Sequence, residues 1–220
     1  MLHVLGCGDG VIMAVNPNGN LHWYSYGGHG ENDASGSLGW HPHSGNVIGN
    51  GWQKFRKVFV FPRAGRPSSR VRIFGVAQNG DLHWYEYTGN GEEDPSGSLG
   101  WEPNSGNRIG SGWDSFVHLH GSSNVVFGVK PDGHLLWYSY SGQGEEDPSG
   151  TIGWDPNSGN PIGNGWQSMQ HVFGGASDGG GFGQVIMAVD QDGKLFWYRY
   201  SGNGESDLSG TQGWHHRSGD

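Results

Sequence analysis

The sequence predicts an all-β fold built from four tandem units, on three observations. Glycine fills 44 of the 220 positions; a helix-rich fold is excluded at that density, because each helical glycine costs about 1 kcal/mol relative to alanine. The string Leu-x-Trp-Tyr-x-Tyr recurs around Trp23, Trp84, Trp137 and Trp197, at intervals of 61, 53 and 60 residues. Each copy is preceded by Asn-Gly or Asp-Gly, the strongest short-range hairpin signal when it separates strand-like runs.

Within a unit the elements follow in a fixed order. An apolar run comes first, Val11–Val15 in one copy and Val185–Val189 in another. Asn18-Gly19, Asn79-Gly80, Asp132-Gly133 and Asp192-Gly193 then make the turn, for which both central residues are expected at positive φ. The Leu-x-Trp-Tyr-x-Tyr strand follows, then a glycine-rich loop of fixed length. A short strand in Ile-Gly-x-Gly-Trp and a further strand such as Phe116 to Leu119 complete the order. Trp40, Trp101, Trp154 and Trp214 each follow the first tryptophan by 17 residues, and Trp52, Trp113 and Trp166 come 12 later. All 11 tryptophans belong to the repeat, so the repeat is the physical unit. The unit boundaries are 1–55, 56–116, 117–169 and 170–220 within one domain. Length varies between copies, with insertions at Phe61 to Arg72 and Ala176 to Gln184 where the third copy has only Gly121 to Asn124, as surface connections do.

Side-by-side Trp and Tyr put large rings on both faces of one strand. Sheets covered on both faces by their neighbours describe a β-propeller of four blades; a linear solenoid would need polar capping repeats that the sequence does not carry. Met1 to Gly6 matches the unit's last strand (Gln170 to Gly174), while the fourth copy stops at Ser218-Gly219-Asp220, before its third tryptophan. The expectation is a closing blade shared by both chain ends, with a second chain as the alternative source of the closing strand.

Val-Ile-x-Ala-Val, Asp-Gly-x-Leu-x-Trp-Tyr and Gly-x-Gly-Trp-x-x-Phe, ordered along essentially the whole chain, resemble the tachylectin-2 family of β-propeller lectins. The resemblance implies non-catalytic, multivalent binding of N-acetylated hexosamines such as GlcNAc or GalNAc, with one pocket per blade lying between neighbouring blades. The best-known member has five blades, one more than the units counted here.

The loops supply candidate ligand groups directly. Glu31, Asp33 and Trp40 recur as Glu92, Asp94 and Trp101, as Glu145, Asp147 and Trp154, and as Glu205, Asp207 and Trp214. An aromatic face for a sugar's C–H patch and carboxylates for its hydroxyls are the elements of a carbohydrate site. The same residues could instead plug the blade edge and cap a turn, as Asp does through local side-chain bonds. Asn46, Asn107 and Asn160, with Trp52, Trp113 and Trp166, join the candidates because the resemblance places the pocket near them. On that reading the fourth copy's site is degraded and about three sites are competent. Trp23, Trp84, Trp137 and Trp197 are assigned to the core.

No cofactor is expected. A Glu-x-Asp pair offers too few oxygens to mark a calcium site. The 12 histidines are explained in part by repetition, since His3, His118 and His171 share one position, as do His22 and His83; no zinc set of three or four ligands is assigned. Cys7 reads as a small core or loop residue, without a neighbour that would lower its pKa. A propeller glycosidase would need an asymmetric pair of carboxylates, whereas these recur in every copy; a protein-interaction propeller is the other alternative. A net charge of −9 argues against nucleic-acid or anionic-membrane partners. No apolar run reaches spanning length, so membrane insertion is not expected. The expected partners are glycans, for a monomer or homodimer that is cytoplasmic or non-classically secreted, since no signal peptide is seen.

Overall fold

A computed structural model describes residues 2–61, 70–175 and 184–219. The insertions read between Phe61 and Arg72 and between Ala176 and Gln184 fall largely outside the described residues.

Four antiparallel sheets follow one another along the chain, each a propeller blade. The first runs β1 (His3–Gly8), β2 (Val11–Val15), β3 (Leu21–Ser25), β4 (Val47–Gly49), in that spatial order. The second is β5 (Phe55–Phe61), β6 (Val71–Ala77), β7 (Leu82–Tyr87), β8 (Arg108–Gly110), and the third is β9 (His118–Ser122), β10 (Val125–Val129), β11 (Leu135–Ser139), β12 (Asn160–Gly163). The fourth holds three strands among the described residues, β13 (Met169–Gly175), β14 (Gln184–Asp190) and β15 (Leu195–Tyr200).

Among the described residues the shared closing blade is not formed. β1 pairs with β2 from His3↔Val15 to Gly8↔Val11, as the innermost strand of its own sheet. The corresponding position in the fourth sheet is already filled by β13, paired with β14. Among the described residues, what the fourth sheet lacks is an outer strand beside β15, whereas β1 is the inner strand of the first sheet.

The hairpin turns also differ in type from the expectation. Gly19, Gly80, Gly133 and Gly193 have positive φ, but the Asn or Asp before each does not. Gly19 N–H donates to Asn16 O and Asn16 N–H to Asn20 O, both at 3.0 Å. A three-residue loop with a single left-handed glycine satisfies this pattern, and it tolerates Pro17 and Pro131, whose φ is fixed near −65°.

Alternation in the third strand works as the sequence suggests. Trp23 faces forward, packing with Leu5, Met13 and Leu21 against Ile73 and Tyr87 of the second blade. Trp84 does the same against Val126 and Tyr140 of the third, and Trp137 against Ile186 and Tyr200 of the fourth. Each fully buried side chain of this size contributes about 1.5–3 kcal/mol, so the cores lie between the blades. The inner strands β1, β5, β9 and β13 pack in succession. At one recurring position a side chain ties each inner strand to the chain entering the next blade: His3 Nε2 to Phe55 O at 3.2 Å, Lys57 Nζ to Phe116 O at 2.7 Å, His118 Nε2 to Met169 O at 3.1 Å. Cys7 is buried, with its thiol pKa pushed up to about 12 mainly by burial, which makes it a core residue and a poor nucleophile.

Candidate functional site

A cleft of one construction recurs at each blade junction. Between the first and second blades, Gly51 at φ 78 starts a 3-10 turn, Trp52–Lys54, that sets Trp52 against Tyr85 at 4.6 Å between ring centroids. The second blade's loop brings Trp101 to 5.8 Å from Trp52. Trp101 is held from two sides: its backbone bridges to Tyr87, and its indole N–H donates to Ile48 O across the junction at 2.9 Å. The cleft these rings line, with Gly49, Asn50, Ser96 and Ser98, has a volume of about 310 Å3.

Trp113, Tyr138 and Trp154 build the second cleft, with Trp154 Nε1 donating to Ile109 O at 3.0 Å. Trp166, Tyr198 and Trp214 build the third, with Trp214 Nε1 on Ile162 O at 2.8 Å. Each cleft thus combines the third tryptophan of one copy with the second of the following copy. The copy left out is the first: among the described residues no third tryptophan faces Trp40, whose ring contacts are Tyr24 and Tyr26 and which is 37% exposed. The fourth copy's Trp214, where a degraded site is expected, lines a cleft of the same construction as those of Trp101 and Trp154.

The carboxylates and amides occupy other places. Asp94 is turned into its own loop, where its oxygens accept from the N–H groups of Ser96, Ser98 and Leu99 and from the Ser96 hydroxyl. Those donors, led by Leu99 N–H and the Ser96 hydroxyl, hold the Asp94 carboxyl well below the usual range. Asp33, Asp147 and Asp207 are bonded and shifted in the same way. Asp94, Asp147 and Asp207 thereby hold the hydroxyls of Ser96, Ser149 and Ser209 at the cleft rims. Glu92, Glu145 and Glu205 each accept a backbone N–H two residues earlier, at 2.8 or 2.9 Å, and Glu31 accepts from His29 N–H and the Tyr26 hydroxyl. Asn46, Asn107 and Asn160 donate across the junction to Gly91, Gly144 and Gly204 carbonyls, each at 2.9 Å. None of these acids or amides lines a described cleft.

Sequence reasoning missed Tyr85, Tyr138 and Tyr198. The second residue of Trp-Tyr was read only as a covered ring, yet it forms the cleft floor. Burial raises the phenols of Tyr85 and Tyr138 to about 12, so they stay neutral. Glu93 and Glu146 were missed too; each accepts the N–H of a neighbouring blade's outer strand, at Val47 (2.9 Å) and Arg108 (2.8 Å). Among the described residues, no three His, Cys, Asp or Glu side chains converge as a metal set. No described helix is long and apolar enough to cross a membrane.

Copies of one antiparallel sheet, joined face to face with the same cleft at each junction, define a β-propeller repeat protein. The chain belongs to the Tachylectin family, whose model matches residues 1–218. Among solved structures, a mutant of the Aleuria aurantia lectin in complex with alpha-methyl-L-fucoside is similar at 18% identity and a TM-score of 0.43, over 96% of this chain and 63% of that one. The chain therefore spans less than two thirds of that lectin's length. No curated protein matches the sequence.

Proposed function

We propose that this protein is a non-catalytic lectin that binds one sugar residue in each junction cleft and gains avidity for glycan-coated surfaces from several clefts on one rigid scaffold. The observation carrying this reading is the repetition of one Trp–Tyr–Trp cleft at three junctions, which suits several equal binding sites better than a single reaction centre. Membership of the Tachylectin family supports it. Concave sites with aromatic walls and a few placed polar groups are the usual form of small-molecule pockets, and the half-buried Trp101, Trp154 and Trp214 keep ring surface available. N-acetylated hexosamines are the ligand class we assign, the acetamide methyl and the sugar's C–H face lying on the rings while the rim serines meet polar groups. Linking weak sites raises overall affinity through effective concentration.

Isothermal titration with GlcNAc, GalNAc and alpha-methyl-L-fucoside, with and without EDTA, tests the reading. Saturable, EDTA-insensitive binding of an N-acetylhexosamine at about three sites per chain is expected. Binding of fucoside alone would move the ligand class, and no heat with any sugar, confirmed on a glycan array, would overturn the lectin reading.

A further inference from the structure

Every junction between blades is made from the same two half-surfaces. The forward half carries Trp23, Trp84 or Trp137, and the backward half lays a glycine of the next blade on that indole. A Cβ at Gly91, Gly144 or Gly204 would fall 2.1 Å from the ring's Cε3 atom. The backward half also contributes a tyrosine, Tyr87, Tyr140 or Tyr200, each at most 1% exposed.

One copy of each half-surface is left over. On the fourth blade's forward face, Phe173 is 45% exposed where Leu5 and Phe59, at the same position, are 5% exposed. Trp197 on this face is only half-buried, and none of the three core clusters includes it. On the first blade's backward face, Val4 is 66% exposed and Tyr26 is half-buried. Gly30 corresponds to Gly91, Gly144 and Gly204 and keeps their conformation (φ +77 against +76, +74 and +74), yet nothing lies within 4 Å of the position its Cβ would take. Gly6 is equally open, where its counterparts Gly121 and Gly174 press on the backbone of the preceding blade. Among the described residues no packing of β13 on β1 matches that of β1 on β5, β5 on β9 or β9 on β13.

We propose that these two faces dock on each other between copies of this chain, head to tail, with Gly30 of one copy seated on Trp197 of the next. The occupant is a second copy because the fit is already made three times within the molecule. The first blade carries the backward half-surface in the conformation used at the other junctions, and the fourth carries the forward half-surface with the same residue types. Both stand open on one molecule, so each copy offers a donor face and an acceptor face. Such a heterologous contact closes into a ring or grows into a chain, according to the rotation between copies.

Light-scattering mass of the full chain across a wide range of concentration is the test, with Val4→Lys and Phe173→Lys. Both positions are exposed, so each variant is expected to keep the wild-type near-UV circular dichroism. The wild type is expected to rise to a multiple of the chain mass, and each variant alone to lose association. Mixing the two variants should restore a two-chain species, because the intact Phe173 face of one meets the intact Val4 face of the other. A wild type monomeric at every concentration overturns the proposal. So does association that persists in either variant, or a mixture that stays monomeric while the wild type associates. Should Val4→Lys lose its native spectrum, Gly6→Leu on the same open face replaces it; should Phe173→Lys do so, Leu195→Lys, 52% exposed on the Phe173 face, replaces it, with the same two outcomes.

Discussion

Gly144 lies flat on the indole of Trp84, and a Cβ at Gly144 would sit 2.1 Å from Trp84 Cε3. The contact joins the third blade's loop to the second blade's core, so glycine is required there for two separable reasons: its φ of +74 and the absence of space. Gly51 has the first requirement without the second, at φ +78 with nothing within 4 Å. Gly51→Ala is therefore expected to cost about 1–2 kcal/mol for the left-handed backbone. Gly144→Ala adds roughly 1–3 kcal/mol of overpacking. Urea unfolding midpoints of the two variants compare them directly; equal losses would remove the indole contact as the reason for glycine.

Cleft-by-cleft substitution separates binding from folding. Trp101→Ala removes one wall of the first cleft and is expected to lower sugar stoichiometry from about three sites to about two, with the remaining sites unchanged in affinity because they share no residue with it. Trp40→Ala, on a face with no opposing third tryptophan, should leave stoichiometry as it is. Titration calorimetry reads both, and a loss of sites in Trp40→Ala would place binding in the loops instead of the junctions.

The blades were legible because a repeat writes the same physical demand several times. Trp23, Trp84, Trp137 and Trp197 all read as core from their recurring strand; the first three are buried between blades, while Trp197 is only half-buried. The hairpins were legible as turns, but their type was not, because Asn-Gly serves both the two-residue loop and the three-residue loop with one left-handed glycine. The clefts were half legible: the tryptophans were found, yet each cleft draws its two walls from successive copies, and a reading made copy by copy cannot pair Trp52 with Trp101. Where the Asp94 and Asn46 side chains point was not legible, for a related reason. A polar residue beside an aromatic ring looks the same in sequence whether its oxygen meets a ligand, the loop's own N–H groups or a neighbouring blade.

The loop aspartates tie acid sensitivity to cleft geometry. Asp94 titrates well below its ordinary range because the folded loop donates hydrogen bonds to the carboxylate, Leu99 N–H first. A depressed carboxyl stabilises the fold above the unfolded-state pKa, near 3.9, and that contribution is lost as pH falls below it. Asp94→Asn keeps one acceptor oxygen but turns an NH2 group toward the Ser98 and Leu99 N–H groups. Thermal stability at neutral pH should fall, and sugar affinity at the cleft holding Ser96 and Ser98 should weaken. The variant's stability should also depend less on pH below about 4. Thermal melts from neutral to acid pH would reject this role if variant and wild type ran parallel.

His120 sets a second, higher window. It is buried between the third and fourth blades, stacked on Phe127 at 5.4 Å, and neither ring nitrogen has a hydrogen-bond partner. Burial, with a smaller contribution from His118, holds its pKa at about 3. An unfolded histidine titrates near 6.5. Between those values the unfolded chain binds the extra proton, so stability is full above about 6.5 and falls with decreasing pH by about 1.36 kcal/mol per unit until the folded pKa is reached. At pH 5 that is a loss of about 2 kcal/mol relative to neutral pH, and His118, also held low chiefly by burial, adds in the same sense. The first blade places Leu5 at the equivalent position. His120→Leu should therefore remove two unpaired polar atoms, raise stability at pH 5 more than at pH 7, and flatten the slope between pH 6.5 and pH 4. Urea unfolding at those pH values tests it: a slope unchanged by the substitution would assign the acid sensitivity to other groups.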